Sequence, residues 1–138
     1  MSSNLERVER LREVFGGAAG SGGGERLIAH IEPLAAAGLR SRLGGGAMTT
    51  DHIGIEGLRA GWDDFLRAFE RVRIEFEEMV EVGDAVVDMV ALVGVPRGTE
   101  IEVEQRAAAI WLFDRDLLVR VELHLDREEA LRRAREVG

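Results

Sequence analysis

The stretch that decides the fold is Ala85-Val86-Val87-Asp88-Met89-Val90-Ala91-Leu92-Val93. It is nine residues rich in β-branched and apolar side chains, and Asp88 is its single polar member. A strand that is apolar on both alternating faces belongs at the centre of a sheet covered on both sides. Just before it, Gly83-Asp84 is a hairpin signal. The residues before that turn, Arg73-Ile74-Glu75-Phe76-Glu77 leading through Glu78-Met79-Val80 to Val82, alternate as an antiparallel partner should. Downstream, Val95-Pro96-Arg97-Gly98-Thr99 makes a second connection, Ile101 to Phe113 reads as a long strand, and Asp114-Arg115-Asp116 as a turn. Leu117 to Leu125 follows with Val119, Val121, Leu123 and Leu125 on one face and Arg120, Glu122 and His124 on the other. Asp126-Arg127-Glu128-Glu129 opens a final helix with an N-cap aspartate and a glutamate three residues on; Ala130, Leu131, Ala134 and Val137 are its apolar positions.

Upstream, Leu58, Trp62, Phe65, Leu66, Phe69 and Val72 recur at spacings of three and four, which predicts an amphipathic helix from Leu58 to Val72. Asp63-Asp64 falls on its polar side. The first half of the chain is more broken, since thirteen of the 17 glycines fall at or before Gly61. A first helix over residues 3–15 presents Leu5, Val8, Leu11, Val14 and Phe15, with Ser3-x-x-Glu6 as a capping box. The Gly-rich run 16–24 is read as a flexible connector, Glu25–Glu32 as a short helix ended by Pro33, and Leu34–Leu39 as a further turn. Residues 40–57 read as a loop with a possible short strand at Ile53–Ile55. Helices first, then a meander of antiparallel strands, then a closing helix indicate an α+β fold. The curved sheet cannot bury its inner face alone, so the early helices must lie across it.

With 138 residues the chain is expected to form one domain, 1–138, able to bury about two-thirds of its unfolded surface. Its charge of −8, with all 18 basic residues arginine and no basic stripe, argues against nucleic acid. No cysteine is present and the three histidines are scattered, which argues against a thiolate site or a metal centre, and no cofactor motif appears. The glycine tract follows a helix and carries no Lys-Ser/Thr ending, so it is no phosphate cradle. No run approaches the apolar length of a membrane span and no signal core opens the chain, so a cytoplasmic protein is expected.

Taken in order, Gly57-x4-Trp62-x2-Phe65, Val82-Gly83-Asp84-x-Val86-Val87, Val103-Glu104-Gln105-Arg106, Ile110-Trp111 and Leu125-Asp126-Arg127-Glu128-Glu129-Ala130-Leu131 resemble SnoaL-like proteins over about residues 50 to 137. These belong to the nuclear transport factor 2-like superfamily, with the ketosteroid isomerases, limonene epoxide hydrolases and polyketide cyclases. The resemblance implies a cone-shaped, cystatin-like fold in which N-terminal helices pack on a strongly curved antiparallel sheet around an apolar pocket, often in dimers that associate through the sheet. It also implies a histidine two residues before Trp111 and an acid three residues before Asp126; this chain has Ala109 and Leu123 there. Neither transfers a proton. Absence of any tyrosine removes the ordinary oxyanion donor of a ketosteroid isomerase.

The chemistry must therefore come from the chain's own residues. Asp88 shares a parity with Val86, Val90 and Leu92, and burial there would raise its pKa and suit it to act as an acid or base. Pairing with an arginine such as Arg106, or a place on an exposed face, is the alternative. Glu78 would be a second inward carboxylate unless a bulge at Glu77–Glu78 shifts the register. Trp62, Phe65, Phe69, Gln105, Ala109, Trp111 and Leu123 are candidate pocket residues, with plain core packing as the alternative for the aromatic ones. His30, His52 and His124 read as incidental. The expected ligand is a small hydrophobic molecule, either bound without chemistry or turned over by a cofactor-independent isomerase, cyclase, dehydratase or hydrolase. Ala108, Ile110 and Leu112 form an outward apolar strip, which suggests a homodimer through the sheet.

Overall fold

The computed structural model describes residues 3–15, 23–43 and 50–138. Helix α1 (Asn4–Phe15) is followed by α2 (Gly23–Ile31), a single 3-10 turn (Glu32–Leu34), strands β1 (Ala35–Leu43) and β2 (Thr50–Ile53), and helix α3 (Gly54–Leu66). Then come β3 (Phe69–Val82), β4 (Ala85–Pro96), β5 (Val103–Asp114), β6 (Leu117–His124) and α4 (Arg127–Val137). The six strands form one sheet in the order β2-β1-β6-β5-β4-β3. The α+β class holds, with one change: the sheet is mixed, because β1 runs parallel to β6 while the other pairings are antiparallel. Most of the connector 16–24 lies outside the described residues, and its last two residues open α2.

Three boundaries differ from the periodicity. Residues 35–43 are a strand instead of a helical turn leading into a loop. Leu39, Ser41 and Leu43 are buried on one parity, against exposed Gly38 and Arg40. Poor strand formers adopt the extended state here because β6 and β2 supply hydrogen-bonding partners on both sides. The predicted 40–57 loop is accordingly taken up by β1, β2 and the start of α3, apart from 44–49, outside the described residues. Finally, Phe69 and Val72 belong to β3, since α3 stops at Leu66. Phe69 then lies across Gly94 of β4, where any Cβ would come within 2.7 Å of its ring.

The sheet is packed on both faces. One face carries Val86, Val90, Leu92, Ala107, Trp111, Phe113, Val121 and Leu123 against Val8 and Leu11 of α1, Ile28 and Ile31 of α2, and Leu58 and Trp62 of α3. On the other, Ala85, Val87, Met89, Ala108 and Ile110 meet Ala130 and Ala134 of α4. Every residue of β4 from Ala85 to Val95 is buried, as a central strand requires. Ala108 and Ile110 are thus packed inside the chain against α4, with Leu112 partly buried beside them. Small alanines let α4 lie close, and its N-terminus is held by Asp126, which accepts hydrogen bonds from the Glu128 and Glu129 backbone N–H groups at 2.9 and 3.2 Å.

Two hairpins set the strand registers. Gly83 has φ +59, which the first turn requires. In the second, Arg115 and Asp116 both take positive φ, at 52 and 69. Such a turn favours glycine or asparagine, so two ordinary side chains are held there against a steric penalty. Arg7 of α1 forms an ion pair with Asp116, tying that turn to the first helix.

Candidate functional site

Between the helical layer and the sheet lies a cavity of about 70 Å³. Among the described residues its wall is mostly apolar: Leu11, Ile28, Ile31, Leu58 and Trp62 line it from the helices, and Ile74, Phe76, Val90, Leu92, Ala109, Trp111, Val121 and Leu123 from the sheet. The charged lining residues are Asp88 with Arg12, and Glu122 of β6, whose carboxylate is engaged by Arg133.

Asp88 is 2% exposed. Its partner is Arg12 of α1: Nε donates to Oδ1 at 2.9 Å, and Nη2 bonds the same oxygen. The guanidinium also lies 5.0 Å from the centre of the Phe76 ring and donates to the Glu78 carbonyl at 3.5 Å. A ring beneath the plane and a carboxylate at the edge together fix its orientation. Burial pushes the Asp88 carboxyl above its ordinary value; the Arg12 hydrogen bonds and charge, and the Trp111 N–H, pull back only part of the way. That indole N–H, itself buried, makes no hydrogen bond of good geometry within the described residues. The site therefore holds one fixed cation beside one buried carboxyl, with one indole N–H directed at that carboxyl.

Strand register explains the placement. Asp88 pairs with Met79 of β3 on one side and Ala109 of β5 on the other, and Ala109 pairs with Leu123 of β6. One cross-strand row thus runs Met79, Asp88, Ala109, Leu123. Asp88 stands immediately beside Ala109 and one strand further from Leu123, the positions at which the family resemblance implies a histidine and an acid. Neighbours in such a row have Cβ atoms about 5 Å apart.

Of the predicted pocket residues, Trp62, Ala109, Trp111 and Leu123 line the cavity together with Asp88. Phe65 and Phe69 form a second layer behind Trp62: Trp62 stacks on Phe65 with centroids 5.6 Å apart, and Phe65 meets Phe69 at 5.7 Å. Gln105 does not join them. It is exposed, beyond the covered part of β5, and its amide donates to the Arg106 and Leu125 carbonyls. Glu78 is exposed as well, because the β3–β4 register shifts between Phe76 and Met79. The bulge turns its carboxylate out, and only its carbonyl reaches the site. Arg106 faces Glu77 at 3.8 Å instead of Asp88.

Arg12 went unnoticed in the sequence, although a signal was there. Leu5, Val8 and Arg12 follow the three-four spacing of a buried stripe, so a cation interrupts the inward face of α1. The residues on the outward parity of β6 are not incidental either. Glu122 is fully buried, and it accepts hydrogen bonds from His124 Nε2 at 2.8 Å, Arg133 Nε at 3.1 Å and Arg120 Nη1 at 2.9 Å. Burial alone would raise its pKa, but these donors win and hold it at about 2. His124 is therefore part of the anchor for α4. Among the described residues no group of three or more His, Asp or Glu side chains is arranged to hold a metal ion, and no helix is long and apolar enough to cross a membrane.

A family model described as a SnoaL-like domain matches residues 24–121. No curated protein matches the chain. Among solved structures, a nuclear transport factor 2-like protein of unknown function from Burkholderia pseudomallei superposes with a TM-score of 0.70 at 17% identity, covering 96% of this chain and 97% of that one. A putative SnoaL-like polyketide cyclase from Jannaschia gives 0.67 at 20% identity, over 96% and 91% of the two chains. TerC, co-crystallised with polyporic acid, gives 0.67 at 16% identity over 94% and 97%. At these identities the likeness is one of fold.

Proposed function

The chain belongs to the SnoaL-like domain family, and from that premise we propose that it binds a small hydrophobic molecule in the cavity between its helices and its sheet, with the Arg12–Asp88 pair as the polar contact. The observation that carries this reading is the contrast within the cavity. Among the described residues its wall is apolar apart from the Arg12–Asp88 pair, the indole N–H groups of Trp62 and Trp111, and Glu122, whose carboxylate is engaged by Arg133. An apolar site with a few convergent polar groups is the usual form of a small-molecule pocket. The similar fold of TerC, co-crystallised with polyporic acid, is consistent with it.

Both tryptophans of the chain line the cavity, so indole fluorescence reports on it directly. Acetonaphthone is expected to quench the emission saturably in the wild-type protein. Ala109→Phe, which fills the cavity, is expected to abolish the response while the thermal unfolding transition remains. Absence of saturable quenching in the wild type, or unaltered quenching in the variant, would overturn the reading.

A second reading, acid–base turnover of the bound molecule without a cofactor, is favoured by the position of Asp88 beside Ala109 in the same row as Leu123. A carboxyl with raised pKa suits removal of a proton next to a carbonyl near neutral pH, with Trp111 and Arg12 as donors to the oxygen that gains charge. Exchange of the acidic protons of tetralone into heavy water, followed by NMR, tests it: exchange above the buffer rate that disappears in Asp88→Asn supports turnover. Exchange at the buffer rate leaves a binding protein.

A further inference from the structure

The two charges at the cavity differ in whether they can be removed. Arg12 keeps its proton at any pH a folded protein meets. Asp88, buried and lifted above its ordinary pKa, can be neutralised by taking up one proton. An entering cation would pair with Asp88 and strand Arg12 with a charge it cannot shed. An entering anion would pair with Arg12 and leave Asp88 to take up a proton, and no charge would be stranded. The surroundings agree. Beside Arg12 itself, the groups facing Asp88 are the Trp111 N–H of β5 and the carbonyl of Glu78 on β3, whose carboxylate is exposed. From α2 and α3 the lining is Ile28, Ile31, Leu58 and Trp62, and Glu122 of β6 is committed to Arg133 on the opposite side. Arg12 and Trp111 both donate; among the described residues Asp88 is the side-chain acceptor that both reach.

We infer that the ligand of this cavity is a hydrophobic acid, an aromatic or alicyclic body bearing one carboxylate or acidic enol, whose anion displaces Asp88 from Arg12. The inference rests on the ligand-cavity reading above and narrows it. For a carboxylate ligand the exchange balances simply: one proton from solvent forms an O–H bond on Asp88, the Asp88–Arg12 hydrogen bonds break, and new ones form between the ligand carboxylate, Arg12 and the Trp111 N–H. Protonated Asp88 then donates to the ligand. For an acidic enol the proton comes from the ligand itself.

The test compares naphthoate, acetonaphthone and naphthylmethylammonium, which share one apolar body and differ in charge, by calorimetry in buffers of different ionisation heat. At about pH 6, naphthoate is expected to bind at least about tenfold tighter than acetonaphthone, with uptake of close to one proton. Its Kd should rise about tenfold for each pH unit above the Asp88 pKa. Arg12→Gln should erase the preference while keeping acetonaphthone binding. If that variant fails to fold with Asp88 unpaired, the Arg12→Gln/Asp88→Asn double variant removes both charges and is expected to show the same loss. Asp88→Asn alone should bind naphthoate without proton uptake. Acetonaphthone bound as tightly as naphthoate, preference for the ammonium, or binding without proton uptake would overturn the acid assignment while leaving the cavity reading intact. Failure of all three probes would overturn both.

Discussion

Among the described residues each face of the sheet buries one carboxylate, and the two behave in opposite ways. On the helical-layer face, Asp88 has a single arginine and an imperfectly aligned indole N–H, and desolvation wins: its pKa is raised. On the α4 face, Glu122 has Arg120, Arg133 and His124, and the donors win: its pKa falls to about 2. Burial is similar, so the number and quality of partners decides the direction. A carboxylate with surplus partners is a permanent charge that fastens α4 to β6. One with too few can change state when something enters beside it. The packing differs in the same sense, since small alanines lie between α4 and the sheet, while on the other face bulky side chains from three helices line a cavity.

The most severe way to break this contrast is to remove the anchor. Glu122→Ala leaves Arg120 and Arg133 facing each other with no anion between them, and should cost about 3 to 5 kcal/mol of stability in urea denaturation. A loss below about 1 kcal/mol would mean that the cluster does not fasten α4.

Next comes the acid limb of stability. Because the folded pKa of Glu122 lies below its unfolded value of 4.5, its contribution is fully present above that value and is lost as pH falls toward about 2. The separation is worth about 3 kcal/mol. Asp88 has the opposite sign: with a folded pKa above 3.8, its contribution is present at low pH and is lost as pH rises through the folded value. Urea midpoints followed from about pH 6 down to about pH 2 should therefore fall less steeply in Glu122→Gln than in the wild type, and more steeply in Asp88→Asn. Slopes that move together in the two variants would show that the faces are not electrostatically distinct.

The smallest effect concerns α4 alone. Asp126→Ala removes the N-cap and should lower stability by about 1 kcal/mol. It should leave the tryptophan response to acetonaphthone unchanged, because α4 packs on the far side of the sheet from the cavity. A shift in that response would show that the two faces are coupled through the strands.

Legibility in the sequence followed the strength of local signals. Strands β3 to β6 were readable because alternation repeats over long runs and Gly83 marks a turn needing positive φ. The register shift at Glu77–Glu78 was open as an alternative, and the structure selects it. By contrast, β1 was missed although Leu39, Ser41 and Leu43 alternate with Gly38, Arg40 and Arg42, because three alanines and a glycine lack intrinsic strand preference. The end of α3 was overrun because Phe69 and Val72 continue the helical spacing with no glycine or proline to break it. At the cavity, Trp62 follows from helical spacing, Trp111 and Asp88 from strand parity, and Ala109 and Leu123 from the family resemblance, whereas Gln105 stands outside it because parity says nothing of where the covering helices stop.

By itself the sequence determined the α+β class, the central place of β4 and the capping of α4, and left Asp88 between an inward place and an exposed or arginine-paired one. Each of these is a local matter of periodicity, turn chemistry and side-chain type. Tertiary structure alone decided that Asp88 meets Arg12, 76 residues away, that α4 covers Ala108 and Ile110, and that Glu122 is buried among arginines. These depend on how helices cross a sheet, and a distance through space between residues far apart in the chain is not encoded in any local repeat. The periodicity thus specified which face each side chain takes, and the packing of the two layers specified what it finds there.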